Sequence, residues 1–368
     1  MTINYETRLN TLKDCLNENN IDVAMITSPA NVFYYTGFNS DPHERFMALI
    51  LDSRNNACTL FVPALDKEIA DDESSVQTIV PISDEEDPFA ILKNELGENI
   101  KHFGLEMKTV SMFQHKHLSA AFPKAYYDDI QSFINAQRLK KSREELVYVQ
   151  KAVDIIEKVL DEGVKKVKHG MTELELTAEL EYLMKKYGAE GPSFSTIVLT
   201  GEKAALPHGT PGDRVFQKGD FLLIDMGVIT KEGYCSDITR TFIIGEATEE
   251  QKKIYDIVMQ SNQAGVTAVK AGVPLKTFDI EARNVIKENG YGDYFNNRVG
   301  HGLGIEVHEE PSIHENNEQI AENGLLFTIE PGIYIPNYGG VRIEDEVYIN
   351  EDGKAEVLTS FPRELQIL

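Results

Sequence analysis

The chain has 368 residues, with 36 Lys and Arg against 60 Asp and Glu, three cysteines and no tryptophan. This length suits two domains, and the net charge of -24 argues against nucleic acid or an anionic membrane as a partner, because phosphate binding requires clustered Lys and Arg. Three scattered cysteines, the lack of an apolar signal core and the lack of a membrane-length apolar run predict a cytoplasmic protein without a disulfide scaffold.

The first third of the chain alternates helical and strand patterns. Apolar residues recur at helical spacing from Tyr5 to Leu16, which predicts an amphipathic helix. Two short apolar runs, at residues 23–26 and 46–51, are typical of buried strands, and a charged loop at residues 41–45 lies between them. Because this alternation continues to about residue 130, we expect a small α/β domain over residues 1–132.

The second domain is expected over residues 133–368, where Ser142, Thr172 and Thr248 each begin a capping box and therefore a helix. Within this domain, residues 163–170 resemble residues 265–272. Chance similarity between two amphipathic helices is one explanation. The other is a duplicated half, which gives a pseudo-two-fold domain with a central cleft suited to a binding site. The predicted fold class is therefore α/β (α+β).

Two aspartates lie at strand ends in a predicted hairpin. An apolar strand ends in Asp225, and Asp237 begins the next strand, with turn residues 230–233 between them. A hairpin centred there places the two aspartates opposite each other, where their charges repel unless a cation lies between them. Cys235 shares strand parity with Asp237, so its thiol either faces the same site or fills apolar space.

A second pair of carboxylates repeats this pattern. Glu330 ends one strand and Glu344 belongs to the next, with turn residues 337–340 between them, so these two side chains are also expected to face each other. A glycine-rich segment, residues 299–304, presents His301 on backbone that permits close approach.

Four carboxylates and one imidazole form a hard, oxygen-rich ligand set. Such a set suits manganese, iron or cobalt(II), and zinc less exclusively, and it differs from a thiolate zinc site. Four negative charges are too many for one divalent ion but suit two ions. When only the spacing is considered, the alternative to a metal site is that the two aspartates are ordinary turn residues at strand ends.

Two further histidines border the proposed ligand segments. His208 lies in a loop before the first of the ligand-bearing strands, and His308 follows His301 by seven residues. Both a site role and ordinary exposure to solvent are consistent with these positions. Ser312 stands where a single-zinc His-Glu-x-x-His helix has its second histidine, so that motif is absent. The nucleophile elbow and the phosphate-binding loop are also absent.

Five motif strings resemble those of the pita-bread dinuclear metallopeptidases, which include methionine aminopeptidase, aminopeptidase P and prolidase. The resemblance covers the whole chain, and residues 1–132 resemble the N-terminal domain of the prolidase and aminopeptidase P branch. It implies a small N-terminal α/β domain followed by a pseudo-two-fold pita-bread catalytic domain. The strings are Ile224-Asp-Met-Gly227, Ser236-Asp-Ile-Thr-Arg-Thr241, Gly300-His-Gly-Leu-Gly304, Thr328-Ile-Glu-Pro-Gly332 and Val341-Arg-Ile-Glu-Asp345.

The resemblance assigns a role to each of the five ligands. It implies that Asp225 chelates one ion, that His301 and Glu330 bind the other, and that Asp237 and Glu344 bridge the two. Manganese is the expected ion, and cobalt, iron and zinc are the alternatives.

The resemblance also implies a mechanism, in which a metal-bridging hydroxide attacks the scissile carbonyl. Glu330 then matches the glutamate that shuttles the proton. His208 and His308 match the histidines that hold the substrate and the developing oxyanion, which fits N–H donors aimed at charge that forms in the transition state.

Four further residues resemble those that bind substrate in short bacterial prolidases. By this resemblance the loop with Asp41, His43 and Arg45 reaches the active site of a partner subunit and limits substrate length. Arg298 matches an arginine that recognises the substrate carboxylate. Other prolidases have an additional arginine where this chain has Ser312.

The resulting prediction is a cytoplasmic, homodimeric Xaa-Pro dipeptidase that acts on small peptides with proline at the second position. Aminopeptidase P, which releases the first residue from longer Xaa-Pro peptides, is the alternative. A non-hydrolytic pita-bread binding protein is the second alternative.

Overall fold

The structure, a computed structural model, describes residues 3–368. Its described residues form two compact units, one ending at Arg138 and the other spanning Leu139–Leu368. The boundary predicted from the sequence, between residues 132 and 133, falls inside the helix that also contains this division. No helix within residues 3–368 is long and apolar enough to span a membrane.

The first unit is a six-stranded mixed sheet with helices, in the strand order β4-β3-β2-β1-β5-β6. β1 pairs antiparallel with β2 and parallel with β5. The predicted first helix and first two strands are confirmed, although the second strand begins at Ala48 rather than at Phe46. The strands are β1 (Val23–Ile26), β2 (Ala48–Asp52), β3 (Ala57–Pro63), β4 (Thr78–Ile82), β5 (His102–Leu105) and β6 (Tyr126–Asp129), and the helices are α1 (Tyr5–Glu18), α2 (Pro29–Thr36), α3 (Lys67–Glu73), α4 (Pro88–Leu96), α5 (Met112–Ala121) and α6 (Gln131–Leu139).

The second unit contains two helix pairs, each next to an antiparallel sheet. The three predicted capping boxes are confirmed at Ser142, Thr172 and Thr248, where each side chain accepts a hydrogen bond from the residue three positions later. The helices are α7 (Arg143–Val164), α8 (Glu173–Lys186), α9 (Glu249–Ala268) and α10 (Lys276–Glu288).

One sheet of this unit has the order β11-β9-β8 and the other has the order β13-β12-β14-β17-β18, and two short ribbons pair β10 with β7 and β15 with β16. The strands are β7 (Gly191–Pro192), β8 (Ile197–Thr200), β9 (Phe221–Met226), β10 (Val228–Ile229), β11 (Ile238–Ile243), β12 (Gly300–Gly302), β13 (Glu309–Ile313), β14 (Leu326–Ile329), β15 (Gly332–Ile335), β16 (Gly339–Arg342), β17 (Asp345–Ile349) and β18 (Ala355–Val357).

The side chains of β9 alternate between two hydrophobic cores, which determines the face on which Asp225 lies. Leu222 and Ile224 pack in the core formed with α7 and α8. Phe221 and Leu223 point to the opposite face and join the core formed with α9 and α10. Because side chains alternate between the two faces of a strand, Asp225 shares the face of Leu223 and points toward the second sheet. The two-halved architecture agrees with the predicted pita-bread fold.

Candidate metal centre

Asp225 and Asp237 come from the hairpin formed by β9 and β11, but they are not directly opposite. Asp225 pairs with Thr239, and Met226 pairs with Ile238. This register corrects the predicted one by two residues, because the turn is closed by a hydrogen bond from Thr230 N–H to the carbonyl of Tyr234 and is therefore centred on residue 232. The shift preserves strand parity, so the two aspartates remain diagonal neighbours on one face.

Glu330 and Glu344 lie opposite each other, as the second predicted hairpin requires. Ile329 pairs with Asp345, and Gly332 pairs with Arg342. The same register places the two glutamates between these pairs. Asn337 has a φ of 61° at the turn, in the left-handed region that asparagine tolerates.

His301 belongs to β12, which pairs with β14. The backbone N–H of His301 donates to the Thr328 hydroxyl at 3.1 Å, and this contact sets the imidazole beside the carboxylates. Nε2 of His301 lies 3.3 Å from Glu330 Oε1 and 3.7 Å from Asp237 Oδ2. Asp237, His301 and Glu344 each present a ligand atom within 4.8 Å of the other two.

All five predicted ligands line one cavity of about 790 Å³ in the second unit. His208, His308 and Arg298 line the same cavity. The rings of His301 and His308 meet edge to face, with centroids 4.1 Å apart. Arg298 donates from Nη1 to the Ser312 hydroxyl at 3.1 Å. The structure thus brings together side chains that are spread over more than 100 positions of the sequence.

The buried carboxylates of this cluster repel one another, and a bound cation would stabilise their charged forms. Burial, followed by repulsion from neighbouring carboxylates, raises the pKa of Asp237 and of Glu344 well above the usual range. Burial likewise raises the pKa of Glu330 to about 7. Burial lowers the pKa of His301 to about 3, which keeps the imidazole neutral and able to bind a metal.

Three buried oxygens test whether the residues fit metal ions. Within residues 3–368, Oδ1 of Asp225, Oδ1 of Asp237 and Oε1 of Glu344 are buried without a hydrogen-bond partner. Buried carboxylate oxygens are ordinarily hydrogen-bonded or bound to metal. Since three carboxylates each direct an unpaired oxygen into the cluster, the donor set fits divalent cations.

Comparison with known proteins agrees with this geometry. Residues 148–351 match the model of metallopeptidase family M24, and residues 8–140 match the creatinase/prolidase N-terminal domain. The chain belongs to metallopeptidase family M24. Membership makes it a metal-dependent peptidase that uses divalent ions, in agreement with the fit of its ligand set.

Three M24-type relatives illustrate the similarity. An uncharacterized peptidase of Staphylococcus aureus is 39% identical over 357 residues, which is 97% of this chain and 100% of the relative. The prolidase of Thermococcus sibiricus superimposes with a TM-score of 0.94 at 35% identity and 100% coverage of both chains. The X-Pro aminopeptidase of Thermotoga maritima superimposes with a TM-score of 0.89 at 34% identity, covering 98% of this chain and 99% of the other.

Arg342 contacts the predicted ligands and was not singled out by the sequence argument. Its guanidinium is buried and donates to Asp225 Oδ2, to the Tyr334 hydroxyl at 2.9 Å and to the Thr239 hydroxyl at 3.0 Å. The Thr239 hydroxyl in turn donates to Glu344 Oε2 at 2.7 Å. Arg342 thereby contacts Asp225 directly and Glu344 through Thr239. The available signal in the sequence was strand parity, because Arg342 lies two residues before Glu344 and so shares its face.

Glu346 is a second residue that the sequence argument missed. Its fully buried Oε1 accepts a hydrogen bond from the backbone N–H of Asp237 at 2.8 Å. Because it shares strand parity with Glu344, it supports the metal centre from the same face of the strand.

The loop with Asp41, His43 and Arg45 lies in the first unit, and none of the three belongs to the described residues that line the M24 cavity. His43 has a φ of 54°, and its backbone N–H donates to Asp41 Oδ1 at 2.9 Å. Arg45 forms an ion pair with Asp84 at 2.8 Å. The loop thus contacts both its own residues and Asp84 of the same unit, and its predicted action on a partner subunit stays a prediction.

Cys235 is buried and is not among the described residues that line the cavity. The thiol donates to the carbonyl of Ile305 at 3.3 Å, and the backbone N–H of Cys235 donates to the carbonyl of Gly304 at 2.7 Å. Burial raises the pKa of this thiol, which therefore stays protonated and able to donate. Cys235 is thus hydrogen-bonded to the loop that follows β12, and its role stays a prediction.

Proposed function

We propose that this chain is an Xaa-Pro dipeptidase that hydrolyses the bond before proline in small peptides, with two divalent ions, most simply Mn²⁺. The observation that carries the proposal is one cavity lined by five metal-type ligands, two further histidines and two arginines. Similarity to the prolidase of Thermococcus sibiricus supports the choice of substrate. We further propose that the enzyme acts in the cytoplasm as a homodimer.

Asp225, Asp237, His301, Glu330 and Glu344 would hold the ions. When bound, the ions supply an activated water and polarise the scissile carbonyl. Glu330 is the proposed proton carrier, because it matches the proton-shuttling glutamate of the family and its carboxylate lines the cavity that would hold the peptide. It takes a proton from the attacking water and delivers that proton to the nitrogen of the departing proline.

His208 and His308 are proposed to bind the reacting peptide. Both line the cavity and are exposed to it. Burial, followed by the positive charge of Arg298, lowers the pKa of His308, so this imidazole remains a neutral donor. An N–H donor held near the scissile carbonyl stabilises charge that grows in the transition state.

Proline suits this cavity for a chemical reason. An imide nitrogen carries no N–H, and its ring fixes the backbone angle, so a peptidase that reads the N–H of its substrate fails at this bond. The cavity offers an apolar wall, formed by Phe194, Ile197 and Val307, for the side chains of a dipeptide. Its volume of about 790 Å³ falls in the usual range for small-ligand sites.

We expect Arg298→Met to raise KM for Xaa-Pro dipeptides and lower kcat/KM by about tenfold to a hundredfold, the value of a charge-assisted hydrogen bond. Xaa-Pro amides, which lack the free carboxylate, should show little change. Steady-state kinetics on both substrate types measure this difference. Arg143→Met, which removes an exposed ion pair with Glu351, is the matched control. Equal losses on acid and amide substrates would show that Arg298 does not read the carboxylate.

We expect His43→Ala to change the preference for substrate length. If the loop closes the active site of a partner, shortening its side chain admits longer peptides, so the ratio of tripeptide to dipeptide turnover rises. Competition between Xaa-Pro and Xaa-Pro-Xaa peptides measures that ratio. His169→Ala, at an exposed histidine of the second unit, is the control, and an unchanged ratio in His43→Ala would contradict the partner-loop prediction.

Aminopeptidase P activity is the alternative. Ser312 supplies no positive charge where other prolidases have an arginine, and the chain also resembles the X-Pro aminopeptidase of Thermotoga maritima. The manganese-loaded enzyme should be assayed on Xaa-Pro dipeptides and on tripeptides with the same first two residues. Faster turnover of dipeptides supports the proposal. Turnover of the tripeptides alone would replace it with the alternative.

A further inference from the structure

His308 is carried by a short segment, residues 303–309, which comprises the loop between β12 and β13 and the first residue of β13. Its backbone is anchored on one side by Cys235, which donates from its N–H to Gly304 and from its thiol to Ile305. The imidazole of His308 itself is exposed to the cavity. The imidazole also meets the His301 ring edge to face, while the position of the His308 backbone depends on contacts made by the rest of the loop.

A buried ion pair lies against both ends of this loop. Lys141 Nζ is 2.9 Å from Glu309 Oε2, and the two side chains are only 1% and 5% exposed. Oε1 of the same carboxylate accepts the backbone N–H of Glu306 at 3.0 Å. Lysine is rarely buried to this extent without a specific partner, so the pair is a defined feature of the fold.

Gly304 shows how closely the pair touches the loop. A Cβ at this position would lie 2.7 Å from Cε of Lys141 and 3.0 Å from Oε1 of Glu309. Any side chain here would collide with the ion pair, because contacts this short are essentially never made by real Cβ atoms. The pair thus packs on the loop backbone at Gly304. One of its members, Glu309, is also the residue that directly follows His308 in the chain.

Lys141 is itself fixed to the second unit. Its backbone N–H donates to the carbonyl of Gly324 at 2.8 Å, and Ser142 caps α7 immediately afterwards. In the sequence it lies between the two family matches, which end at residue 140 and begin at residue 148. The preceding residue, Lys140, forms an ion pair with Glu322 in which the side chains are 48% and 52% exposed.

We propose that the buried Lys141–Glu309 ion pair positions His308 for catalysis by holding residues 303–309 against the metal cavity. The proposal rests on the proposed function, in which His308 donates to the reacting peptide. Lys141 is a positioning residue, since it acts through the loop. The physical basis is geometric, because a displacement of about 1 Å in a catalytic donor lowers the rate by about a hundredfold.

Lys141→Met tests this role, with Lys140→Met as the matched control next to it. We expect the first variant to lower kcat on Xaa-Pro dipeptides by about a hundredfold while KM changes less, because the lost contact acts mainly in the transition state. Metal content should stay at the wild-type value, since the five ligands lie outside the pair. The control should remain within about twofold of wild type, as expected for an exposed pair.

A double variant separates positioning from folding. Lys141→Met alone keeps the Glu309 carboxylate buried while removing the positive charge of Lys141, which lowers stability as well. Lys141→Met with Glu309→Gln removes both charges, so its melting temperature should return toward wild type while kcat remains low. Recovery of kcat together with stability would show that the pair serves folding only and would overturn the proposal.

A readout independent of turnover keeps the two proposals apart. In zinc-loaded, ¹³C-histidine-labelled protein, the ring resonance of His308 is assigned from its loss in His308→Gln. This resonance should shift in Lys141→Met and stay in place in Lys140→Met. An unshifted resonance in Lys141→Met would overturn the positioning role even if the enzyme is active. Absence of wild-type turnover on every Xaa-Pro peptide would instead overturn the proposed function, with the resonance still deciding the role of the pair.

Discussion

Glu330→Gln is expected to lower kcat on Xaa-Pro dipeptides by about a thousandfold, a typical value for the loss of a general acid and base. Glutamine has almost the same shape but cannot take a proton from water or return it to the departing nitrogen. Steady-state kinetics at saturating manganese measure the change.

Because Glu330 is also a proposed ligand, proton transfer must be separated from metal loss. Elemental analysis of the assayed Glu330→Gln protein, together with a manganese titration to constant rate, makes this separation. Glu318→Gln is the matched control, since that side chain is 71% exposed and pairs with Lys276. A rate within tenfold of wild type at full metal occupancy would remove Glu330 from the role of proton carrier.

Asp237→Asn is expected to stabilise the metal-free protein and to abolish its stabilisation by metal. The carboxylate is buried, repelled by Glu344 and Asp225, and has one oxygen without a partner among the described residues. Without metal, removing this charge relieves repulsion, so the melting temperature should rise above that of metal-free wild type. With metal, a proposed ligand is missing, so affinity should fall.

Calorimetry of chelator-treated and manganese-loaded proteins measures both effects. Free metal at a thousandfold excess over Kd stabilises the native state by about 4 kcal/mol, which corresponds to a rise of about 10 °C for a domain of this size. Wild type should show this rise and Asp237→Asn should not. Asp213→Asn, at an exposed position, should behave as wild type. Equal metal-induced shifts in Asp237→Asn and wild type would exclude Asp237 as a ligand.

The non-hydrolytic alternative is tested by the same wild-type sample. A binding protein that has lost its metal would contain less than one ion per chain and gain no activity from manganese or cobalt. The five-ligand cluster and membership of family M24 argue for the opposite result.

Local sequence patterns were enough to predict much of the strand pairing around the candidate metal centre. Period-two alternation and turn chemistry were enough to predict the hairpin of Glu330 and Glu344, whose register is confirmed. They also predicted that Asp225 and Asp237 share one face, because shifting a register by two residues leaves strand parity unchanged. The two-residue error in that hairpin arose because symmetry between the aspartates does not specify which hydrogen bond closes the turn.

Contacts between distant segments were decided only by tertiary structure. Arg342 reaches Asp225 across 117 positions, and Lys141 reaches Glu309 across 168. Neither pair has a local signature, because its two members meet only when packed sheets and helices bring their strands and loops together. The sequence by itself predicted which side chains would meet in one cavity. Packing of the two halves decided which charges are buried, which remain unpaired and which donor faces the cavity, since burial and distance are properties of the folded chain alone.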